Sequence, residues 1–233
     1  MIYMRSEVDI DTPICRYMSY QHLLKMLDER QFFVAIRNTF DDVNECNLPI
    51  TDMHIFYDAH ANISPEQLKS DSDRLDKQRE RQQEMGNLPT SCWTLRSTES
   101  YLMWKAYANK DGVCIRSTIR KLINCLDYDG YDAVCVKMLY GSYSRSNEYN
   151  VITKDIYYDD ERELRFFFVP QNDTITIPDK YVNFPITSQS FIEEVVTSPE
   201  MSEYKSMLCV NEMMGKYHLS AHKSRLSINH SAT

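Results

Sequence analysis

The chain has 233 residues, 42% apolar and 26% charged, enough apolar material for a sizeable core in one large domain or two small ones. Its formal net charge of -8 argues against broad electrostatic binding of nucleic acid, although a local basic groove stays open. No apolar run approaches the roughly twenty residues of a membrane-spanning helix, and the N-terminal MIYMRSEVDIDTP lacks a signal-peptide core.

Residues 1–12 are polar and read as a flexible lead or an edge strand. Residues 14–18 form a short apolar run broken by Arg16, and an arginine inside a strand needs a partner or a purpose. Ser19 can cap a helix over residues 20–29, whose apolar stripe is Leu23, Leu24 and Leu27. Residues 31–36, QFFVAI, predict a strand, and NTFDD after them a turn. Ser64-Pro65-Glu66-Gln67 is a capping box that opens a helix to about residue 85. That helix is almost all charge and amide, so it reads as a solvated insertion over about 64–86 within a single domain spanning 1–233. A partner surface on the same helix is the alternative reading.

Residues 90–118, TSCWTLRSTESYLMWKAYANKDGVCIRST, are the densest stretch. Ser91 to Thr94 predict a strand end. Residues 99–109 carry helical spacing, with Leu102, Met103, Ala106 and Tyr107 on one side. Lys110-Asp111-Gly112 predicts a turn and Val113-Cys114-Ile115 a strand. Further on, residues 119–126 predict a short helix, 133–140 a strand, 163–169 a strand opened by acids, and 174–177 another strand. Residues 191–196 and 201–214 look helical, and 218–228 end in a strand. Strands and helices mix without βαβ regularity, so the expected class is α+β.

Several chemistries are disfavoured. The seven cysteines, Cys15, Cys46, Cys92, Cys114, Cys125, Cys135 and Cys209, form no CxxC pair, which fits free buried thiols in a reducing cytosol better than zinc. The six histidines make no HExxH, and five glycines leave no GxGxxG or phosphate-binding loop.

What remains is an order of residues: Arg16 and Tyr17 on an early strand, Ser91-Cys92-Trp93-Thr94, a short helix with Trp104 and Tyr107, then Glu161-Arg162-Glu163 before a late strand. This order resembles the Arg–Ser–Glu class of mono-ADP-ribosyltransferases. The patterns Arg-Tyr-Met-Ser, Ser-Cys-Trp, Met-Trp-x-x-Tyr and Glu-x-Glu-x-Arg are also similar to a bacterial family known as domain of unknown function twenty-nine seventy-one. The first resemblance implies a split β-sandwich, NAD as substrate, an unidentified macromolecular acceptor, protein or nucleic acid, and a cytoplasmic toxin or anti-phage effector. It implies that Arg16, Tyr17, Ser91, Trp93, Trp104 and Tyr107 bind NAD and that Glu163 and Glu161 are catalytic. A carboxylate beside the ribose would stabilise an oxocarbenium-like charge, and a guanidinium fork suits phosphate. Glu161 and Glu163 are expected on one face of one strand.

Other readings fit parts of the pattern. Alternating signs from Glu161 to Arg165 also suit a solvent-facing strand with cross-strand pairs. Trp104 and Tyr107 also suit a core, and Ser91 a bend. Asp41, Asp42, Glu161 and Glu163 could instead hold metal ions in a nuclease, or the chain could be a non-catalytic nucleotide-binding or interaction module with residues 64–85 as its partner surface.

Overall fold

Ser19 ends one strand and starts the first helix, and that junction sets the layout. In the computed structural model, which describes residues 2–4, 7–40, 63–141 and 152–226, β1 spans Ile2–Met4 and β2 spans Pro13–Ser19. Ser19 then accepts a hydrogen bond from the His22 N–H (3.2 Å) and starts α1, Tyr20–Glu29. Leu23, Met26 and Leu27 are the buried stripe of α1, and Arg30 in the left-handed region (φ 53°) turns the chain into β3, Gln31–Ile36. The remaining elements are α2 (Pro65–Gly86), β4 (Pro89–Thr94), α3 (Tyr101–Met103), a π-helical turn (Trp104–Ala108), β5 (Gly112–Thr118) and α4 (Ile119–Asn124). They continue with β6 (Tyr131–Lys137), β7 (Leu139–Tyr140), β8 (Thr153–Lys154), β9 (Glu163–Pro170), β10 (Tyr181–Pro185), β11 (Glu194–Thr197), α5 (Glu203–Lys216) and β12 (Ala221–Lys223).

The architecture is α+β with a large open sheet. Ten of the described strands join it, in the order β1-β6-β9-β4-β2-β5-β11-β12, with β3 on β4 and β10 on β3. β4 is the branch point. On one edge it pairs with β9 along residues 90–94. On the other it pairs with β3 at Thr90 and Pro89, and with β2 only through Thr94 and Cys15. Beyond that single pair β2 and β4 diverge, and the sheet opens into a split beside Ser91, Cys92 and Trp93.

The main core lies on one side and contains Phe32, Trp93, Leu164, Phe166, Phe168 and Phe191 among its buried residues. A smaller cluster, Cys15, Tyr17, Trp104, Ala108, Cys114 and Val196, packs under the π turn. Gly112 is required there, because a Cβ at that position would stand 2.1 Å from the Ala108 carbonyl oxygen. On α2 the capping serine works as expected, Gln67 N–H donating to Ser64 Oγ at 3.2 Å, and the described side chains are exposed apart from half-buried Asp71 and Leu75.

Several elements differ from the sequence expectation. Residues 191–196 are not helical: a 3-10 turn, Gln189–Phe191, leads into β11, which pairs antiparallel with β5. Val195 is buried in one core and Val196 in the other, so the run is apolar because a strand is covered on both faces. Residues 174–177 form no strand: Asn172 Oδ1 accepts from the Thr174 N–H (3.1 Å), and the edge of β3 is taken by β10 instead. Residues 99–109 are a three-residue helix continued by the π turn. Its buried residues are Trp104 and Ala108, while Leu102 is 56% and Tyr107 48% exposed. Extra backbone in each turn moves the apolar side read from 3.6-residue spacing off the core. Among the described residues no helix is long and apolar enough to cross a membrane.

Candidate active site

The split between β2 and β4 opens into a cavity of about 630 Å³, a size suited to a small-molecule ligand. β2, β4, Ala35 of β3, residues 39–40, α3 with the π turn, Lys154 of β8, the segment leading into β9 and the start of β9 supply its walls.

Arg16 lies on the β2 side. Its guanidinium sits 5.2 Å above the Phe32 ring and donates one long hydrogen bond to Ser91 Oγ, 3.4 Å away. Ser91 Oγ is fixed in turn by Trp93 Nε1 at 3.0 Å, and the Trp93 ring lies parallel to Phe32 (8°, 6.4 Å). No carboxylate among the described residues stands within ion-pair distance of Arg16. Burial lowers its pKa from the ordinary arginine value, and the half-buried guanidinium has no counter-ion among the described residues. Such a group favours an anionic ligand, and a fork of N–H donors suits phosphate. Next to it, Tyr17 packs edge-on against Trp104 (4.9 Å, 88°) and its hydroxyl accepts from the Ser100 N–H at 3.0 Å. Burial pushes the Tyr17 hydroxyl well up, so it stays neutral.

The opposite wall is acidic. Asp155 caps a 3-10 helix, Ile156–Glu161, and Arg162 then adopts the left-handed conformation (φ 45°, ψ 50°) before β9 begins at Glu163. Glu161 is therefore not on the strand, as expected from the sequence, but on the turn before it. One left-handed residue does what strand alternation does elsewhere, and both acids line the same cavity. Thr94 Oγ1 donates to the Glu161 carbonyl at 2.5 Å, and the Glu163 N–H donates to Tyr140 Oη at 2.6 Å, which holds the turn on both sides.

Both carboxylates are bound to cations. Arg165 grips Glu163 in a fork, Nε to Oε1 at 2.7 Å and Nη2 to Oε2 at 2.9 Å. Lys154 on β8 reaches Glu161 Oε2 at 2.6 Å and Glu163 Oε2 at 3.5 Å, and stands 4.6 Å above the Tyr158 ring. Tyr107 of the π turn donates to Glu161 Oε1 at 2.5 Å. Burial alone would raise the Glu163 carboxyl, but Arg165 and then Lys154 outweigh it and hold it below the usual carboxylate range. Burial and the Glu161 hydrogen bond push the Tyr107 hydroxyl up, so it remains a donor.

Of the residues singled out from sequence, Arg16, Tyr17, Trp93, Tyr107, Glu161 and Glu163 line the cavity. Ser91 and Trp104 do not. Ser91 is fully buried behind Arg16, and Trp104, 2% exposed, lies behind Tyr17 with its Nε1 on Glu99 Oε2 at 3.0 Å. Sequence reasoning assigned no site role to Lys154, Arg165, Cys92, Phe40 or Tyr158, which also line it. Arg165 carried a signal, since it stands two residues after Glu163 on one strand face. Lys154 carried none, because the turn between it and Glu163 hides the juxtaposition. Asp41 and Asp42 lie outside the described residues. Among the described residues no cluster of three or more His, Cys, Asp or Glu side chains could hold a metal ion.

No family model matches the sequence, so kinship with the family of unknown function stays a resemblance. No curated protein matches it either. Among solved structures, DarT from Thermus sp. 2.9 follows a loosely similar chain trace. Its complex with NAD+ gives a TM-score of 0.42 at 9% identity, covering 93% of this chain and 97% of that one. Its complex with ADP-ribosylated single-stranded DNA gives 0.40 at 10% identity over 92% of this chain and 95% of that one.

Proposed function

We propose that the protein cleaves NAD at the nicotinamide–ribose bond and transfers the ADP-ribosyl group to a macromolecular acceptor, on a split β-sandwich of the ADP-ribosyltransferase kind. The observation that carries this reading is the polarity of one cavity. A half-buried arginine with no carboxylate partner among the described residues stands on the β2 wall, and a cation-held carboxylate pair, Glu163 buried and Glu161 half-buried, stands on the other. Cys15, Thr94 and Glu163 form one lateral row over β2, β4 and β9. The two walls are thus two strand spacings apart, roughly 10 Å. That separation suits a ligand with an anionic pyrophosphate at one end and a sugar that becomes cationic at the other.

In this reading Arg16 binds the pyrophosphate. Tyr107 and the β4 wall at Trp93 flank the nicotinamide ring. Ser91 and Trp104 act from behind, by fixing Arg16 and Tyr17. The bond from ribose C1′ to the nicotinamide nitrogen breaks, its electron pair leaves with neutral nicotinamide, and Glu163 faces the oxocarbenium-like carbon. A lone pair of the acceptor then bonds to C1′, and Glu161 orients that acceptor or takes its proton.

The test is nicotinamide release from NAD by the purified protein in EDTA, followed by labelling of a cell lysate with radioactive NAD. Release in EDTA and a labelled macromolecule are expected. Protease, nuclease and added single-stranded DNA arms identify the acceptor class. No release from NAD under any of these conditions would overturn the reading.

A further inference from the structure

Lys154 is the least expected member of the site. It lies on the two-residue strand β8, paired with β7 outside the main sheet, yet its side chain is only 7% exposed. Its ammonium bridges the two carboxylates, 2.6 Å from Glu161 and 3.5 Å from Glu163. Two carboxylates that share one cation at these distances are close enough to repel each other. Glu163 keeps a second counter-charge in Arg165, whereas among the described residues Glu161 has only the neutral Tyr107 hydroxyl besides Lys154. Loss of the lysine charge therefore falls on Glu161.

We propose that Lys154 is a positioning residue of the proposed NAD-cleaving site: it ties the turn residue Glu161 to the strand residue Glu163 and holds both carboxylates at the cavity. The inference rests on the NAD reading for its catalytic consequence. The groups facing the pair are Arg165 on β9, Cys92 on β4, Tyr107 on the π turn, Tyr140 on β7 and Tyr158 on the 3-10 helix. Lys154 is the one cation among them that reaches Glu161. Removing it takes away the cation that holds Glu161 beside Glu163.

The experiment measures steady-state NAD cleavage by the full chain and its Lys154 variants, beside a crystal structure of Lys154→Met. Lys154→Met should lower kcat about tenfold or more, the scale of one charge-assisted hydrogen bond, with KM changed less than about twofold, because the phosphate anchor is elsewhere. Lys154→Arg, which keeps a cation between the carboxylates, should restore most of the loss. In the crystal structure the Glu161 carboxylate should have left its place beside Glu163. Should Lys154→Met not fold, Lys154→Gln, which keeps a donor without the charge, gives the same reading. An unmoved kcat overturns the proposal, and so does a Glu161 carboxylate that stays in place without the lysine. Absence of nicotinamide release from the wild type removes the NAD reading and the catalytic half of the proposal, while the crystal structure still decides whether Lys154 holds Glu161 beside Glu163.

Discussion

Glu163 is both a structural counter-ion and the group proposed to face the reacting sugar, so one substitution reads two effects. Glu163→Gln keeps the shape and removes the charge. Turnover of NAD should fall on the order of a hundredfold to a thousandfold, the usual cost of one electrostatic stabiliser. From sequence alone the folding cost looks small, but the carboxylate is 5% exposed and neutralises Arg165. The expected loss is therefore on the order of 3–5 kcal/mol, as when one member of a buried pair is removed. The acid side has a definite sign. Because the folded-state pKa of Glu163 is depressed, its contribution is present above the unfolded value, about 4.3, and is lost as pH falls through the folded value. Melting curves of the wild type should fall more steeply below that pH than those of the variant. Wild-type turnover in purified Glu163→Gln would remove the residue from the chemistry. Arg16→Lys tests the other wall. It keeps the charge and loses the fork, so NAD affinity should weaken about tenfold or more, the scale of one charge-assisted hydrogen bond. Calorimetric titration with NAD beside a melting curve separates this from a structural role, which would instead show as a large melting loss with unaltered affinity. Arg16 and the two acids were legible because residues of that chemistry in strand-like context are unusual. Lys154 was not, since it meets Glu161 through a folded turn.

At the scale of elements, the π turn is the part whose shape matters most. It brings Ala106 and Tyr107 to the cavity beside Met103 of α3 and puts Trp104 and Ala108 beneath. This close approach needs Gly112. Gly112→Ala would place a methyl group 2.1 Å from the Ala108 oxygen, and the far atoms are backbone, so the turn itself must shift. About 1–3 kcal/mol of stability should be lost, as in overpacking, and NAD cleavage should fall further than stability alone explains because Tyr107 moves with the turn. A fluorescence melt and steady-state kinetics on the same preparation check both, and unchanged kinetics in a destabilised protein would detach the turn from the site. The bounds of α1 and β3 were readable to the residue, since a capping serine, an apolar stripe and an aromatic and β-branched run agree there, although Met26 rather than Leu24 completes the buried stripe. β10 and β11 were not. Their identity comes from the edges of β3 and β5, which are distant in sequence, and a two-sided buried strand has no alternation to read.

On the scale of the whole molecule, the sheet is two wings that meet at the pair between Cys15 and Thr94, and the cavity lies at that seam. The α2 helix lies outside this arrangement. Its described side chains are exposed except Asp71 and Leu75, and Leu68 is 49% exposed, so it covers little of either core. The chain returns to the fold only at Gly86 and Leu88, both buried just before β4. Replacing residues 65–84 with a short Gly/Ser linker, with Gly86 and Leu88 kept, should therefore leave the domain folded. A change in loop length costs only about 0.6 kcal/mol per doubling. Hydrolysis of NAD should persist, because no described residue of α2 lines the cavity. Transfer to the proposed acceptor should fall, since an exposed and highly charged helix suits a binding surface. The paired measurement is nicotinamide release from NAD alone and labelling of a lysate. Unfolding of the deletion variant would show α2 to be packed. Retention of both activities would make it a passive solvated element, and loss of transfer with hydrolysis retained is the one outcome that assigns acceptor selection to α2.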